Sequence, residues 1–275
     1  MTILQAIFLG IVQGLTEFLP VSSTAHLILV PWLIGWSYDP KTAFVFNVLV
    51  QWGTLVGVFA YFWRDLASIA RGMLGGLARR APFDTFEARL GWWVVVATIP
   101  AVVAGLLLKN HIESLSSAYA AVAAVVILAA ALLVAAERFG RRTRTLDNLH
   151  AADAAVVGLW QTLALFPGVS RSSSTIAGGM LRHLERSAAA RFSFLMSIPA
   201  LLGAGALAIK DLLEDAALLS VLALPLAAGF LAAAVSGYLV IRWLLGYLQR
   251  QSLNVFVVYR LVFGAVCLIV ALTRG

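Results

Sequence analysis

Two short polar interruptions hold most of the residues in this chain that could do chemistry. The first, "QGLTEFLPVSSTAH" at 13–26, contains Gln13, Glu17, Ser22, Ser23, Thr24 and His26. The second, "PGVSRSSST" at 167–175, contains Ser170, Arg171, Ser172, Ser173, Ser174 and Thr175. Apolar runs flank both. An ionisable group at membrane depth is costly, so Glu17, His26 and Arg171 are functional candidates by default. In the second stretch, Pro167-Gly168 ends one half-helix and turns the backbone sharply. A helix starting near Ser170-Arg171-Ser172 aims free N–H groups and its positive dipole end into that turn. With a planar guanidinium and several hydroxyls added, the turn becomes a cradle for phosphate. A Walker-type loop is excluded, because no lysine sits in a Gly-rich loop after a strand.

The first stretch supplies different parts. Gln13 and Glu17 are one helical turn apart and share a face. A carboxylate and an amide oxygen beside a phosphate suit a hard divalent cation, Mg²⁺ or alternatively Ca²⁺. Ser23 and His26 also share a face if a helix starts near Ser22. Two roles stay open for them: a nucleophile with its base, or an N-cap serine with a histidine that donates to phosphate. A buried Glu17–Arg171 pair that merely joins the two stretches is the structural alternative. It does not explain why the hydroxyls crowd both turns.

These residues need a scaffold, and composition says which kind. Of 275 residues, 61% are hydrophobic and only 12% charged, against about a quarter charged in soluble domains. The chain is therefore expected to be an all-α, polytopic integral membrane protein. The excess of 20 Lys and Arg over 13 Asp and Glu is the bias of cytoplasmic loops rather than a sign of nucleic-acid binding. The single cysteine, Cys267, lies in an apolar run and cannot form an intramolecular disulfide. The N-terminus lacks the basic region of a cleaved signal peptide.

Six runs are long enough to span a bilayer, near 42–63, 90–108, 117–136, 189–209, 217–241 and 254–272. The 64–89 connection carries Arg64, Arg71, Arg79, Arg80 and Arg89, and the 137–150 connection carries Arg138, Arg141, Arg142 and Arg144. The 109–116 and 210–216 connections hold one lysine each, Lys109 and Lys210. The arginine-rich connections are thus placed in the cytoplasm. Arg182, Arg186 and Arg191 read as cytoplasmic too, so the 150–190 segment begins and ends on one side, as a re-entrant hairpin would, and 1–36 forms a second hairpin from the opposite side. Trp32, Trp36, Trp63, Trp92 and Trp93 fall near span ends, as an interfacial belt requires. Asp153 reads as a helix N-terminal charge rather than a catalyst.

An offset of 148 residues superimposes the two interruptions without a gap. It matches Gly10 with Gly158, Gln13 with Gln161, Leu15 with Leu163, Phe18 with Phe166, Val21 with Val169 and Ser22 with Ser170. Because the spans that follow run in opposite directions, the halves read as inverted-topology repeats, about 1–136 and 150–272, within one membrane domain. Such folds build their polar site where broken helices meet.

The two motifs resemble the signatures of bacterial undecaprenyl-diphosphate phosphatases of the bacitracin-resistance type. One signature, Glu/Gln-x-x-x-Glu, is met by Gln13 and Glu17; the other, Pro-Gly-x-Ser-Arg-Ser-x-x-Thr, is met from Pro167 to Thr175. The resemblance implies six spans plus two re-entrant helix pairs and a homodimer in the bacterial inner membrane. It implies a site opening toward the periplasm and hydrolysis of undecaprenyl diphosphate to the monophosphate carrier of envelope synthesis. It points to Glu17 for metal binding or catalysis, and to Ser23 as nucleophile with His26 in the pocket. Arg171 would bind phosphate, with Ser170, Ser172 and Thr175 as donors. Gln13 stands where many members carry a first glutamate, which leaves one acidic ligand in that motif. The rival reading is a transporter or flippase of a lipid phosphate, since inverted repeats with broken helices also build carriers.

Overall fold

The computed structural model describes the backbone of residues 1–115, 118–213 and 216–274, and their side chains except those of 109–115, 204, 206–213 and 216–221. Lys109 and Lys210 of the two short connections therefore lie outside the described side chains. Among the described residues the regular structure is helical. It runs α1 (Ile3–Phe18), α2 (Ser23–Leu33), α3 (Pro40–Ala78), α4 (Phe86–Leu115), α5 (Tyr119–Leu128) and α6 (Ala130–Phe139). It continues with α7 (Ala151–Thr162), α8 (Arg171–Leu181), α9 (Arg186–Leu213), α10 (Ala216–Leu248) and α11 (Asn254–Arg274).

Five of these stretches are long and apolar enough to cross a membrane: Pro40–Ala78, Phe86–Leu108, Tyr119–Phe139, Leu222–Leu248 and Asn254–Arg274. They carry five of the six expected runs. The sixth, 189–209, falls on helix α9 and reaches into residues whose side chains are outside the described set. The expected 64–89 connection is mostly helix. α3 continues to Ala78 because its last turns pack on the start of α4, where Gly91 lies against Ile69 and Met73. The 117–136 run is split by a single residue, Ala129, into α5 and α6.

Ion pairs gather the arginine-rich segments at one end of the bundle. Asp153 takes Arg144 at 2.6 Å and Arg182 at 2.7 Å, Glu137 takes Arg186 at 2.6 Å and Arg142 at 2.7 Å, and Asp65 takes Arg191 at 2.6 Å. Asp153 also accepts the His150 N–H, closing a capping box at the start of α7. Burial alone would raise its pKa, but the hydrogen bonds from Arg144, Arg182 and the His150 backbone prevail and hold it at about 2, below the usual 3.8. A depressed carboxylate stabilises the fold fully above its unfolded pKa and loses that contribution as pH falls through the folded value. Asp153→Asn should therefore melt below the parent at neutral pH, and the two midpoints should converge as pH drops from about 4 toward 2. Thermal unfolding in detergent across that range checks this.

α11 links this end to the other. It starts beside Glu137, which accepts the Leu253 N–H, and ends at Arg274, which donates to the Trp32 and Leu33 carbonyls at the C-terminus of α2. Its 21 residues span about 31 Å at 1.5 Å per residue, close to a bilayer core. The helix pairs α1–α2 and α7–α8 therefore start from opposite ends and meet at their turns. Each first helix leans on a long helix from the other half of the chain. Gly10 of α1 lies against Gly229 of α10, and Gly158 of α7 against Ala97 of α4, too close for a Cβ on either glycine.

Candidate active site

Both turns end in the same backbone device. Ser22 and Ser170, 148 residues apart, have φ of +76° and +78°, a left-handed conformation that non-glycine residues rarely adopt. Each N-caps the helix that follows: Ser22 accepts the Ala25 N–H and Ser170 accepts the Ser173 N–H. The first N–H groups of α2 and α8, at Ser23 and Thr24 and at Arg171 and Ser172, are those an α-helix leaves without an internal acceptor. Two helix N-termini thus face one another across the junction, which favours an anion there. Strained backbone of this kind collects at functional sites.

The turns are stitched together directly. Ser172 Oγ donates to the Leu19 carbonyl at 2.9 Å. Arg260 of α11, fully buried, donates to the carbonyls of Pro20 (3.2 Å), Val169 (3.2 Å), Gly168 (2.8 Å) and Val126 (3.1 Å). Arg260 was not among the sequence candidates, although its signal was there: it is the one arginine inside the 254–272 apolar run. It is a positioning residue, clamping both turns to α5 and α11.

At the junction lies a cavity of about 150 Å³ lined from one side by Glu17, Ser22, Ser23 and Thr24 and from the other by Ser170 and Arg171. Gln51 of α3, another residue the sequence reading missed, lies on its wall. Glu17 is 7% exposed and is the centre of the site. Its Oε1 accepts from Arg171 Nη2 at 2.9 Å. Its Oε2 accepts from Ser23 Oγ at 2.7 Å and from Gln13 Nε2 at 2.9 Å. Arg171 is held from behind by the Ser193 carbonyl at 3.1 Å. Two of its five N–H groups are so occupied, leaving a fork for an oxyanion.

Other candidates are committed elsewhere. Thr175 donates to the Arg171 carbonyl and meets Ser193 Oγ at 2.6 Å, and Ser174 donates to the Arg171 carbonyl. Thr175 and Ser172 are fully buried beneath the cradle, so their hydroxyls hold up the α8 N-terminus rather than face the cavity. The pairing of Ser23 with His26, one of the two roles open to them, is not made. The helix begins at Ser23 with Ser22 as its cap, and His26 turns toward α11. Its Nδ1 bonds the Ser22 carbonyl at 2.7 Å, its Nε2 bonds Tyr259 at 2.7 Å, and its ring stacks on Phe263 with centroids 4.2 Å apart. Ser23 takes Glu17 instead.

The donor set suits a divalent cation only in the company of phosphate. Among the described residues no three carboxylates, histidines or cysteines come together as a metal cluster. Glu17 alone offers a carboxylate here, and Gln13 Oε1 is a buried acceptor without a hydrogen-bond partner. Mg²⁺ is commonly carried by one or two carboxylates plus substrate phosphates, which these residues fit.

The sequence around this junction, and most of the chain with it, has known relatives. A family model described as "Bacitracin resistance protein BacA" matches residues 6–266. The chain belongs to the BacA family. Curated relatives match over nine-tenths or more of their length. A protein named undecaprenyl-diphosphatase from Chlorobaculum tepidum is 45% identical over 282 residues, covering 100% of this chain and 99% of the relative. One of the same name from Myxococcus xanthus is 46% identical, covering 99% of this chain and 90% of the relative. Another, from Thermomicrobium roseum, is 44% identical and covers 98% of each.

Proposed function

We propose that this chain is an undecaprenyl-diphosphatase, hydrolysing the lipid diphosphate to undecaprenyl phosphate and inorganic phosphate. The observation that carries the reading is the meeting of Ser23, Glu17 and Arg171, from two helix pairs entering from opposite ends, in one small cavity with two helix N-termini. The names of the full-length relatives support the same substrate. In this reading α1–α2 and α7–α8 are re-entrant hairpins of two inverted repeats, 1–136 and 150–272, beside six spans. The arginine-rich end faces the cytoplasm of a bacterial inner membrane. Gln51 on the cavity wall lies fourteen residues from Asp65 at that end, about 20 Å along α3, which supports an opening toward the periplasm. The homodimer implied by the family resemblance, carrier recycling for peptidoglycan and bacitracin resistance belong to the same proposal.

The residues divide the work as follows. Arg171, anchored by Ser193 and Glu17, and the N–H groups at Arg171 and Ser172 grip the terminal phosphoryl group and stabilise its charge as it transfers. Ser22, Thr24 and Ser170 line the same space and donate to phosphate oxygens. Ser23 Oγ attacks phosphorus while Glu17 Oε2 takes its proton; the anhydride P–O bond breaks, and undecaprenyl phosphate leaves with that proton, returning Glu17 to a carboxylate. Water then attacks the phosphoserine, giving a proton to Glu17; the phosphate departs and Ser23 is reprotonated. Glu17 and Gln13 would hold Mg²⁺, which when bound neutralises diphosphate oxygens. His26 fixes the Ser22 carbonyl, and with it the turn that presents Ser23.

Ser23→Ala is expected to lower phosphate release by about 100-fold or more, because the attacking oxygen itself is lost. Acid quenching of the parent during turnover should trap phosphate on the peptide containing Ser23. Undiminished release from Ser23→Ala would shift the attack to a water held by Glu17.

A further inference from the structure

An apolar groove of about 280 Å³ runs between α3 and α10, lined by Val56, Gly57, Ala60, Ala234, Val235 and Leu239 together with Tyr238. At Ala60 and Tyr238 it adjoins a polar cavity of about 750 Å³ at the end of the bundle where Asp65 pairs with Arg191. No residue of either lines the Glu17–Arg171 cavity. An apolar channel that ends in a polar chamber at the expected membrane interface has the shape of an amphipathic ligand.

The charges in the chamber select among such ligands. Asp65 and Arg191 neutralise one another at 2.6 Å. Arg64 lies 5.4 Å from the centroid of the Trp63 ring and, among the described residues, meets no carboxylate at ion-pair distance. Among the described residues the Asp147 carboxylate accepts only from Thr145 Oγ1, at 3.2 Å, and the Glu185 carboxylate makes no ion pair. One guanidinium and two carboxylates are thus left over. A purely anionic headgroup would meet a net negative chamber. A quaternary ammonium has no N–H to give to the carboxylates, whereas a primary ammonium has three. Trp63 and Tyr238 add the aromatic lining typical of the headgroup level.

We propose that groove and chamber together form a binding site for one phospholipid with a phosphoethanolamine headgroup. An acyl chain lies in the groove, Arg64 binds the phosphate, and Asp147 and Glu185 take the ammonium. The site is a second lipid site, separate from the one that holds the Ser23 hydroxyl.

The test is native mass spectrometry of the delipidated full chain in detergent, titrated with phosphatidylethanolamine, phosphatidylcholine or phosphatidylglycerol of matched chains. One phosphatidylethanolamine per chain should be retained at about tenfold lower concentration than the other two lipids, the scale of one charge-assisted hydrogen bond. Ala60→Phe, which fills the groove, should weaken it by about tenfold, and Asp147→Asn with Glu185→Gln should abolish the preference over phosphatidylglycerol. All three positions are exposed, so the variants should keep the parent melting midpoint. Soluble phosphoethanolamine should not compete, since it lacks the chain. Equal retention of the three lipids, or a phosphatidylethanolamine preference that survives both variants, overturns the proposal.

Discussion

Arg171→Ala should reduce phosphate release from a prenyl diphosphate by about 10³-fold or more, the scale on which an arginine acts at a transferring phosphoryl group, with the protein still folded. The side chain is only 13% exposed and reaches across the junction to Glu17. Its removal leaves Glu17 with donors from Gln13 and Ser23, so the carboxylate is not stranded. The Ser193 carbonyl loses one donor, and the penalty for that is about 1–3 kcal/mol. Catalysis loses far more, because among the described residues the guanidinium fork is the one side-chain cation on the cavity wall. Arg171→Lys should recover a minor part of the rate, since an ammonium offers charge without the planar fork. Steady-state phosphate release paired with a melting curve separates the two effects. Full activity in Arg171→Ala would remove phosphate binding from this residue.

Arg260→Met should behave in the opposite order, with loss of stability coming first and loss of activity as its consequence. Met fills similar space but donates nothing. Three buried carbonyls, at Pro20, Val126 and Gly168, and the part-buried one at Val169 then lose their donor at once. At about 1–3 kcal/mol per stranded acceptor, and with some relief from no longer burying a charge, the net loss is about 4 kcal/mol or more. Two of those carbonyls belong to the second turn and one to the first, so the cradle and the nucleophile should drift apart as the fold loosens. Arg260→Lys should be intermediate, because one ammonium cannot reach four acceptors. Thermal unfolding in detergent, compared with Arg171→Ala, checks the contrast. A parent-like melting midpoint in Arg260→Met would show that the clamp is unimportant.

The sequence made the scaffold legible wherever one physical rule acted alone. Run length and apolarity located five of the six expected runs on long apolar helices, and arginine bias grouped 137–150 with 182–191, which the structure joins through Asp153 and Glu137. The offset of 148 residues aligned Ser22 with Ser170, and both prove to be left-handed N-caps. Legibility failed where partners come from distant elements. Helical spacing put Ser23 beside His26, but the cap at Ser22 and the rings of Tyr259 and Phe263, more than two hundred residues on, turn the imidazole away. Glu17 reaches Ser23 across Pro20, a path no periodicity describes. Likewise Thr175 and Ser172 belong to the motif, yet their hydroxyls satisfy backbone and Ser193 under the cradle. The extension of α3 to Ala78 is not legible either, because arginines mark a connection whether it is coiled or helical, and this one is helical through its packing on α4.

The central claim is that the junction of the two helix pairs breaks a phosphoanhydride rather than carrying a lipid phosphate across. Inorganic phosphate released from undecaprenyl diphosphate by the purified chain in detergent, with Mg²⁺ or with EDTA, tests it most directly, since detergent leaves no second compartment to transport into. Release with Mg²⁺ that EDTA stops is the predicted result. A folded protein that binds the lipid but releases no phosphate would contradict it and make the site a carrier.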